Sequence, residues 1–211
     1  NGYITIDNEK MSKSKGNYFT VRDILQEYSG EVIRFFLLSG QYRSPINFSK
    51  ELMEQAKSSL ARMENCRENL TYLTSAGGEG AMSDSEQAAL ADYDKYRQNF
   101  ISAMDDDLNT ADAISAVFEL ITAINTAVKD GASREFAQKS LDTLREFTDV
   151  LGLLQVEEDN SVDAEIEVLI AERQEARKAK NFARADEIRD LLKERGITLK
   201  DTPQGVQIIK E

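Results

Sequence analysis

Thr110-Ala111-Asp112-Ala113-Ile114-Ser115-Ala116-Val117-Phe118-Glu119-Leu120-Ile121-Thr122-Ala123-Ile124-Asn125-Thr126-Ala127-Val128-Lys129 decides the fold class. Ala113, Val117, Leu120, Ile121 and Ile124 recur at intervals of three and four, which lines them along one face of an α-helix. Asp130-Gly131 ends it, and Ser133 opens a further helix over 133–151. Upstream, Ser83 with Glu86 three residues on forms a capping box for a helix reaching about residue 104. Ser49 caps another, to about residue 72, whose inner stripe is Leu52, Ala56, Leu60, Met63, Leu70 and Leu73. Four such helices on short connections predict a mainly α protein built on an antiparallel bundle.

Two stretches between these helices invite chemistry. The glycine-rich run 75–80 lacks the Lys-Ser/Thr ending and the preceding strand of a phosphate loop, so it reads as a plain linker. Asp105-Asp106-Asp107 offers adjacent carboxylates, but consecutive side chains point in different directions. Their place before Asn109-Thr110 suits acids at a positive helix N-terminus better than a metal site.

Composition narrows the function further. The 211 residues suit one or two domains with a real core. No apolar run approaches the roughly 20 residues needed to cross a bilayer, and no signal peptide is visible. The single Cys66 cannot form an internal disulfide and fits a reducing cytoplasm. With no histidine, imidazole acid–base or metal chemistry within this chain is excluded. The net charge of −12 argues against indiscriminate nucleic-acid binding, yet residues 1–50 hold seven Lys/Arg against five Asp/Glu, and 173–195 hold eight against five. A first residue other than methionine, followed at once by a strand-like pattern, suggests a piece of something longer.

Beyond the bundle, helices over about 163–180 and 182–195 precede Gly196, a natural stop, and a small hairpin formed by 197–199 and 206–209. This gives a small C-terminal α+β module, with an acidic linker at 157–161. Arg173, Arg177, Lys178, Lys180 and Arg184 form either a phosphate-facing patch or a salt-bridged surface with Glu175, Asp186 and Glu187.

At the N-terminal end Tyr3-Ile4-Thr5-Ile6 alternates as a strand, and a loop hangs from it: Lys10-Met11-Ser12-Lys13-Ser14, then Lys15-Gly16-Asn17. Three ammonium groups among hydroxyls and loop N–H groups suit a polyphosphate; a solvated basic turn is the alternative, in which Lys15 belongs. Thr20 and Asp23 box in a helix with Val21, Ile24, Leu25 and Tyr28 at helical spacing, anchoring the loop's far side. A strongly apolar helix follows from Gly30 to Gly40, buried on most faces.

The lysine loop matches the KMSKS signature of class I aminoacyl-tRNA synthetases. With residues 20–25, 34–49, 104–113, 182–190 and 196–205, the chain resembles the cysteine-specific synthetases in motif order over almost its whole length. The resemblance implies segments 1–48 (KMSKS loop and stem-contact segment), 49–155 (tRNA-binding bundle) and 163–211 (anticodon-facing module). It implies a cysteine–tRNA ligase activity in which Lys13, supported by Lys10, stabilises the departing pyrophosphate of ATP. Met11, Ser12 and Ser14 would complete the ATP contact, and Arg34 and Arg43 join the five C-terminal cations as tRNA contacts. ATP with Mg2+, cysteine and tRNA for cysteine are the implied ligands of a monomer. The HIGH motif and a zinc site would lie upstream, leaving no metal site in this chain and no aminoacylation by these residues alone. Where relatives often carry Trp, Ile208 removes a stacking ring. A ligase joining cysteine to an amino sugar, and a non-catalytic helical RNA-binding or assembly module, are the competing readings.

Overall fold

The computed structural model describes residues 2–6, 9–155, 164–179, 181–194, 196–202 and 205–210, and for some positions in the helices and strands the backbone alone. It divides into two units, 1–155 and 156–211. The first begins with β1 (Ile4–Ile6) and β2 (Glu9–Lys10), which pair antiparallel with Thr5 opposite Lys10. One 3-10 turn (Lys13–Lys15), α1 (Val21–Ile24) and α2 (Gly30–Leu38) follow. The chain then returns as β3 (Ile46–Phe48), parallel to β1, so the sheet runs β2-β1-β3.

The helix expected over 20–28 is one turn long. Thr20 and Asp23 do form the capping box, but of the expected stripe only Ile24 and Tyr28 pack on the core, while Val21 and Leu25 are 59% and 49% exposed, so burial gives little support for extending it. Aromatic packing anchors the loop's far side instead: Phe19 lies 4.4 Å from Phe48, whose ring is 5.9 Å from Phe36 of α2. Within α2, Val32, Ile33, Phe35 and Phe36 are buried and Leu37 is exposed.

Four long helices then build the core: α3 (Lys50–Ala76), α4 (Asp84–Asp105), α5 (Thr110–Ala127) and α6 (Arg134–Leu151). α4 packs chiefly on α5, α3 on α6, and α2 lies against α3. Leu60, Met63, Leu70, Val117, Leu120, Ile124, Phe136 and Leu144 meet in the centre, each contributing about 1.5–3 kcal/mol by leaving water. The expected inner stripe of α3 omits Met53 and Cys66, both fully interior. Burial pushes the Cys66 thiol up to about 12, so it stays protonated and inert.

The glycine-rich run is more than a linker. Gly78 donates to Ala132 O at 2.9 Å and accepts from Arg134 N–H at 3.2 Å, tying the end of α3 to the start of α6. At Gly77 an added Cβ would fall 2.5 Å from Leu73 O and 2.7 Å from Ala132 O, which only glycine avoids.

One carboxylate caps two helices. Glu86 Oε2 accepts from Ser83 N–H at 2.7 Å and from the Ser83 hydroxyl at 3.0 Å, while Oε1 accepts from Ser133 N–H, the α6 cap residue, at 2.7 Å. Burial alone would raise Glu86, but these bonds outweigh it and hold it below its ordinary value. A glutamine has one acceptor oxygen, so Glu86→Gln is expected to cost about 1–2 kcal/mol at neutral pH. Because the folded carboxyl is the stronger acid, its contribution is present above the unfolded value near 4 and is lost as pH falls through the lower folded one. Denaturant melts of parent and variant are therefore expected to differ at pH 7 and converge in acid; a gap unchanged down to pH 2 would refute the assignment.

The second unit comprises α7 (Ala164–Lys178), α8 (Phe182–Glu194) and the antiparallel pair β4 (Ile197–Thr202) and β5 (Gly205–Lys210). Ile166, Ile188, Leu192 and Ile197 form its own small core. The expected linker at 157–161 lies outside the described residues, as does the Pro203-Gln204 turn; the side chain of Ile208 is likewise not described. No helix among the described residues is long and apolar enough to cross a membrane.

Candidate functional site

The lysine loop is held at both ends and closed on itself. Met11 N–H donates to Ile4 O at 3.1 Å, extending the β1–β2 pairing past Lys10. Asn17 spans the base: its Oδ1 accepts from Ser12 N–H at 2.9 Å and its Nδ2 donates to Lys10 O at 3.4 Å. Between them Lys13–Lys15 makes its single turn, ended by Gly16 at φ 70, whose N–H returns to Lys13 O at 3.2 Å. A left-handed residue is needed there, and glycine supplies it at no steric cost. The Ser12 and Ser14 hydroxyls lie 3.0 Å apart.

This differs in one respect from a loop of open donors. The Ser12 N–H is taken up by Asn17, so Ser12 shapes the loop rather than offering its backbone outward. Lys10 and Lys13 are exposed, and each ammonium group sits over an aromatic face, Lys10 Nζ 5.2 Å from the Tyr3 ring centre and Lys13 Nζ 5.1 Å from that of Tyr18. Such contacts are worth about 0.5–1 kcal/mol at exposed sites, enough to bias a four-carbon stem and weak enough to yield to a phosphate. Met11 is half-buried against the strand pair. The side chain of Lys15 is not described. Tyr3 and Tyr18 had no motif to mark them; Asn17 closes the matched signature with Gly16, but its bridge across the loop's base is seen only once Ser12 and Lys10 are placed.

The proposed tRNA cations of the first unit, Arg34 and Arg43, are each engaged by local partners. Arg34 projects from α2 and its guanidinium rests on the glycine turn that ends α6, Nη1 2.9 Å from where a Cβ on Gly152 would sit. There it complements a helix C-terminus, and Glu31 on the same helix accepts from Leu154 N–H just beyond. Arg43 bonds Asp107 Oδ1 at 3.0 Å and the Tyr42 hydroxyl at 2.9 Å, and the hydrogen bond to Tyr42, with the Asp107 charge second, lifts the guanidinium above its ordinary value.

In the second unit Arg173 is only 6% exposed. Arg184 takes the salt-bridged arrangement, to Glu172 at 2.9 Å and Glu187 at 2.8 Å. Arg177 is exposed. The side chain of Lys178 and all of Lys180 lie outside the described residues.

Among the described residues no three His, Cys, Asp or Glu side chains gather to hold a metal ion. Of the aspartate triad, Asp107 is engaged by Arg43 and Tyr42. The described residues therefore form no metal centre of their own.

Three family models match the chain in succession: the class I (C) tRNA synthetase catalytic domain over residues 1–58, the DALR domain over 99–155 and the cysteinyl-tRNA ligase anticodon binding domain over 159–208. Among similar proteins are the cysteine–tRNA ligases of Symbiobacterium thermophilum, 51% identical over 208 residues, and of Clostridioides difficile, 49% identical over 207. Each alignment covers 98% of this chain and 44% of the relative. A solved Agrobacterium radiobacter K84 LeuRS, in ternary complex with tRNA and LeuAMS, shares the fold at TM-score 0.58 and 21% identity, over 70% of this chain and 19% of that one.

Proposed function

Since the chain belongs to the cysteine–tRNA ligase family along nearly its entire length and spans 44% of those relatives, we propose that it serves the ATP-dependent attachment of cysteine to its tRNA. The cysteine carboxylate attacks the α-phosphate of ATP, pyrophosphate leaves, and the aminoacyl group passes from the adenylate to the terminal ribose of the tRNA. Little covalent work falls to the protein in such a step; donors aimed at the departing charge carry the acceleration. Lys13 and Lys10 supply those donors. Ser12, Ser14, Gly16 and Asn17 hold the loop in shape, and Met11 seats it on the strand pair.

The observation that carries this reading is the closed loop: two exposed ammonium groups on a frame fixed by Asn17 and the β1–β2 pair. The segments 49–155 and 163–211 are the tRNA-binding parts in this reading. Arg177 and Arg184, each after exchanging its present partners for phosphate, are the cations of the second that suit the role, since exposed ion pairs hold by under about 1 kcal/mol. No step is assigned to a metal held by these residues. The amino-sugar ligase is disfavoured by the anticodon-binding match over 159–208, and a purely non-catalytic module by the catalytic-domain match over 1–58.

The test is ATP–pyrophosphate exchange by the full-length protein with each amino acid in turn. Cysteine alone is expected to drive exchange, and tRNA for cysteine alone to be charged. Exchange without preference for cysteine would sink the proposal.

A further inference from the structure

The turn between α4 and α5 is strained and tied to something distant. Asp107 and Leu108 are consecutive non-glycine residues at φ 56 and 55, a conformation costing roughly 1–2 kcal/mol for each residue bearing a Cβ. Aspartate tolerates it better than leucine, and Leu108 is 57% exposed, so burial does not compensate.

What the turn does is aim Asp107. Its Oδ1 accepts from the Tyr42 hydroxyl at 3.0 Å and from Arg43 Nη2 at 3.0 Å, while Arg43 Nε donates to the same hydroxyl at 2.9 Å, closing a triangle. Three positions on, the Thr110 hydroxyl donates to Leu38 O at 2.7 Å, fixing the end of α2 from which the 41–45 segment departs. That segment holds β1: Tyr42 O accepts from Gly2 N–H at 3.1 Å, and Ile46 N–H donates to Tyr3 O at 3.2 Å. β1 in turn carries β2, the Met11 N–H bond and the Tyr3 ring beneath the Lys10 ammonium. An unbroken series of short contacts thus runs from the bundle's strained turn to the lysine loop.

We propose that Asp107 is a positioning residue for that loop: through Tyr42 and Arg43 it fixes the segment that anchors β1, and so sets where Lys10 and Lys13 are held. The proposal rests on the phosphate-handling reading of the loop. It also gives the bundle a means of acting on the loop, since whatever shifts the α4–α5 turn shifts the frame of the lysines.

Asp107→Gly is the clean truncation, because glycine keeps the left-handed turn without cost and removes only the carboxylate. Asp107→Asn is the conservative control, retaining both an acceptor oxygen and tolerance of the conformation. In the full-length protein, Asp107→Gly is expected to lower kcat of cysteine-dependent ATP–pyrophosphate exchange about three- to tenfold, with KM for ATP moved under about twofold. Asp107→Asn is expected to restore most of the loss. Arg43→Ala is expected to match Asp107→Gly, and the double variant to be no worse than either. Amide exchange is expected to rise at Gly2 and Met11 while Leu120 and Ile121 stay protected.

Lys13→Ala is run alongside. Unchanged kcat in Asp107→Gly, with Lys13→Ala impaired, overturns the positioning role and leaves the loop's role intact. Loss of protection throughout α5 overturns it as well, showing the clasp to be merely structural. An unimpaired Lys13→Ala removes the loop reading itself, and the positioning role with it.

Discussion

Lys13→Ala is expected to slow cysteine-dependent ATP–pyrophosphate exchange by about 10²–10³-fold while changing ATP affinity by less than a tenth of that. The reasoning starts from where the charge is. Before bond breaking the triphosphate charge is spread and well solvated, and an exposed ammonium adds little to binding. As the α–β bond breaks, charge gathers on the departing pyrophosphate, and a compact donor held within reach is worth about 3–4 kcal/mol there. Lys13 meets those conditions: it stands on a single turn whose two ends are closed by Gly16 and Asn17, with its head group resting on Tyr18. Lys10 lies in the sheet pairing, opposite Thr5, and Lys10→Ala is expected to show the same pattern at smaller size. Equal exchange rates for parent and Lys13→Ala would withdraw the catalytic assignment. A rise in ATP KM as large as the fall in kcat/KM would instead make Lys13 a plain binding group.

The helices were legible because their information is local. Serine caps at 49, 83 and 133, a glutamate three residues after one of them, and apolar spacing over eighteen or more residues mark each helix without reference to any other part of the chain. The pieces that were not legible are those decided by partners far away. β3 is three residues, Ile-Asn-Phe, too short for its apolar-polar-apolar order to mark a strand, and it becomes one because β1, more than forty residues earlier, lies beside it. Val21 and Leu25 have helical spacing, yet nothing packs over them, so the helix ends after one turn. In the site, Lys10 and Lys13 stood out by charge and spacing. Asn17 and Asp107 were visible as residues but not in their roles, because a closing amide and a clasping carboxylate are ordinary until their partners are placed. Arg173 shows the converse: sequence groups it by charge with Arg177, which is exposed, yet Arg173 itself is buried, and the charge pattern carries no sign of that.

Phe136→Ala is expected to be the most damaging single truncation outside the site, costing about 3–5 kcal/mol and lowering the melting temperature of the 1–155 unit by roughly 6–20 °C. The ring is wholly buried in the first turn of α6, tilted against Tyr93 of α4 at a centroid distance of 6.3 Å. Tyr93 in turn shares a buried hydrogen bond with Ser140, one turn along α6, at 3.2 Å. Removing the Phe136 ring leaves a cavity beside a buried polar pair, so collapse into the space would break the Tyr93–Ser140 bond. The cavity and the hydrogen bond therefore cannot both be relieved. Burial pushes the Tyr93 hydroxyl up to about 12, so a loosened packing is also expected to bring its titration back toward 10, readable from tyrosine absorbance in alkali. Val150→Ala is the matched control on the same helix: at 61% exposure it is expected to stay within about 0.5 kcal/mol of the parent. Thermal melts showing the two variants equally stable would mean that the interior of the bundle is not packed as the α4–α6 contact requires.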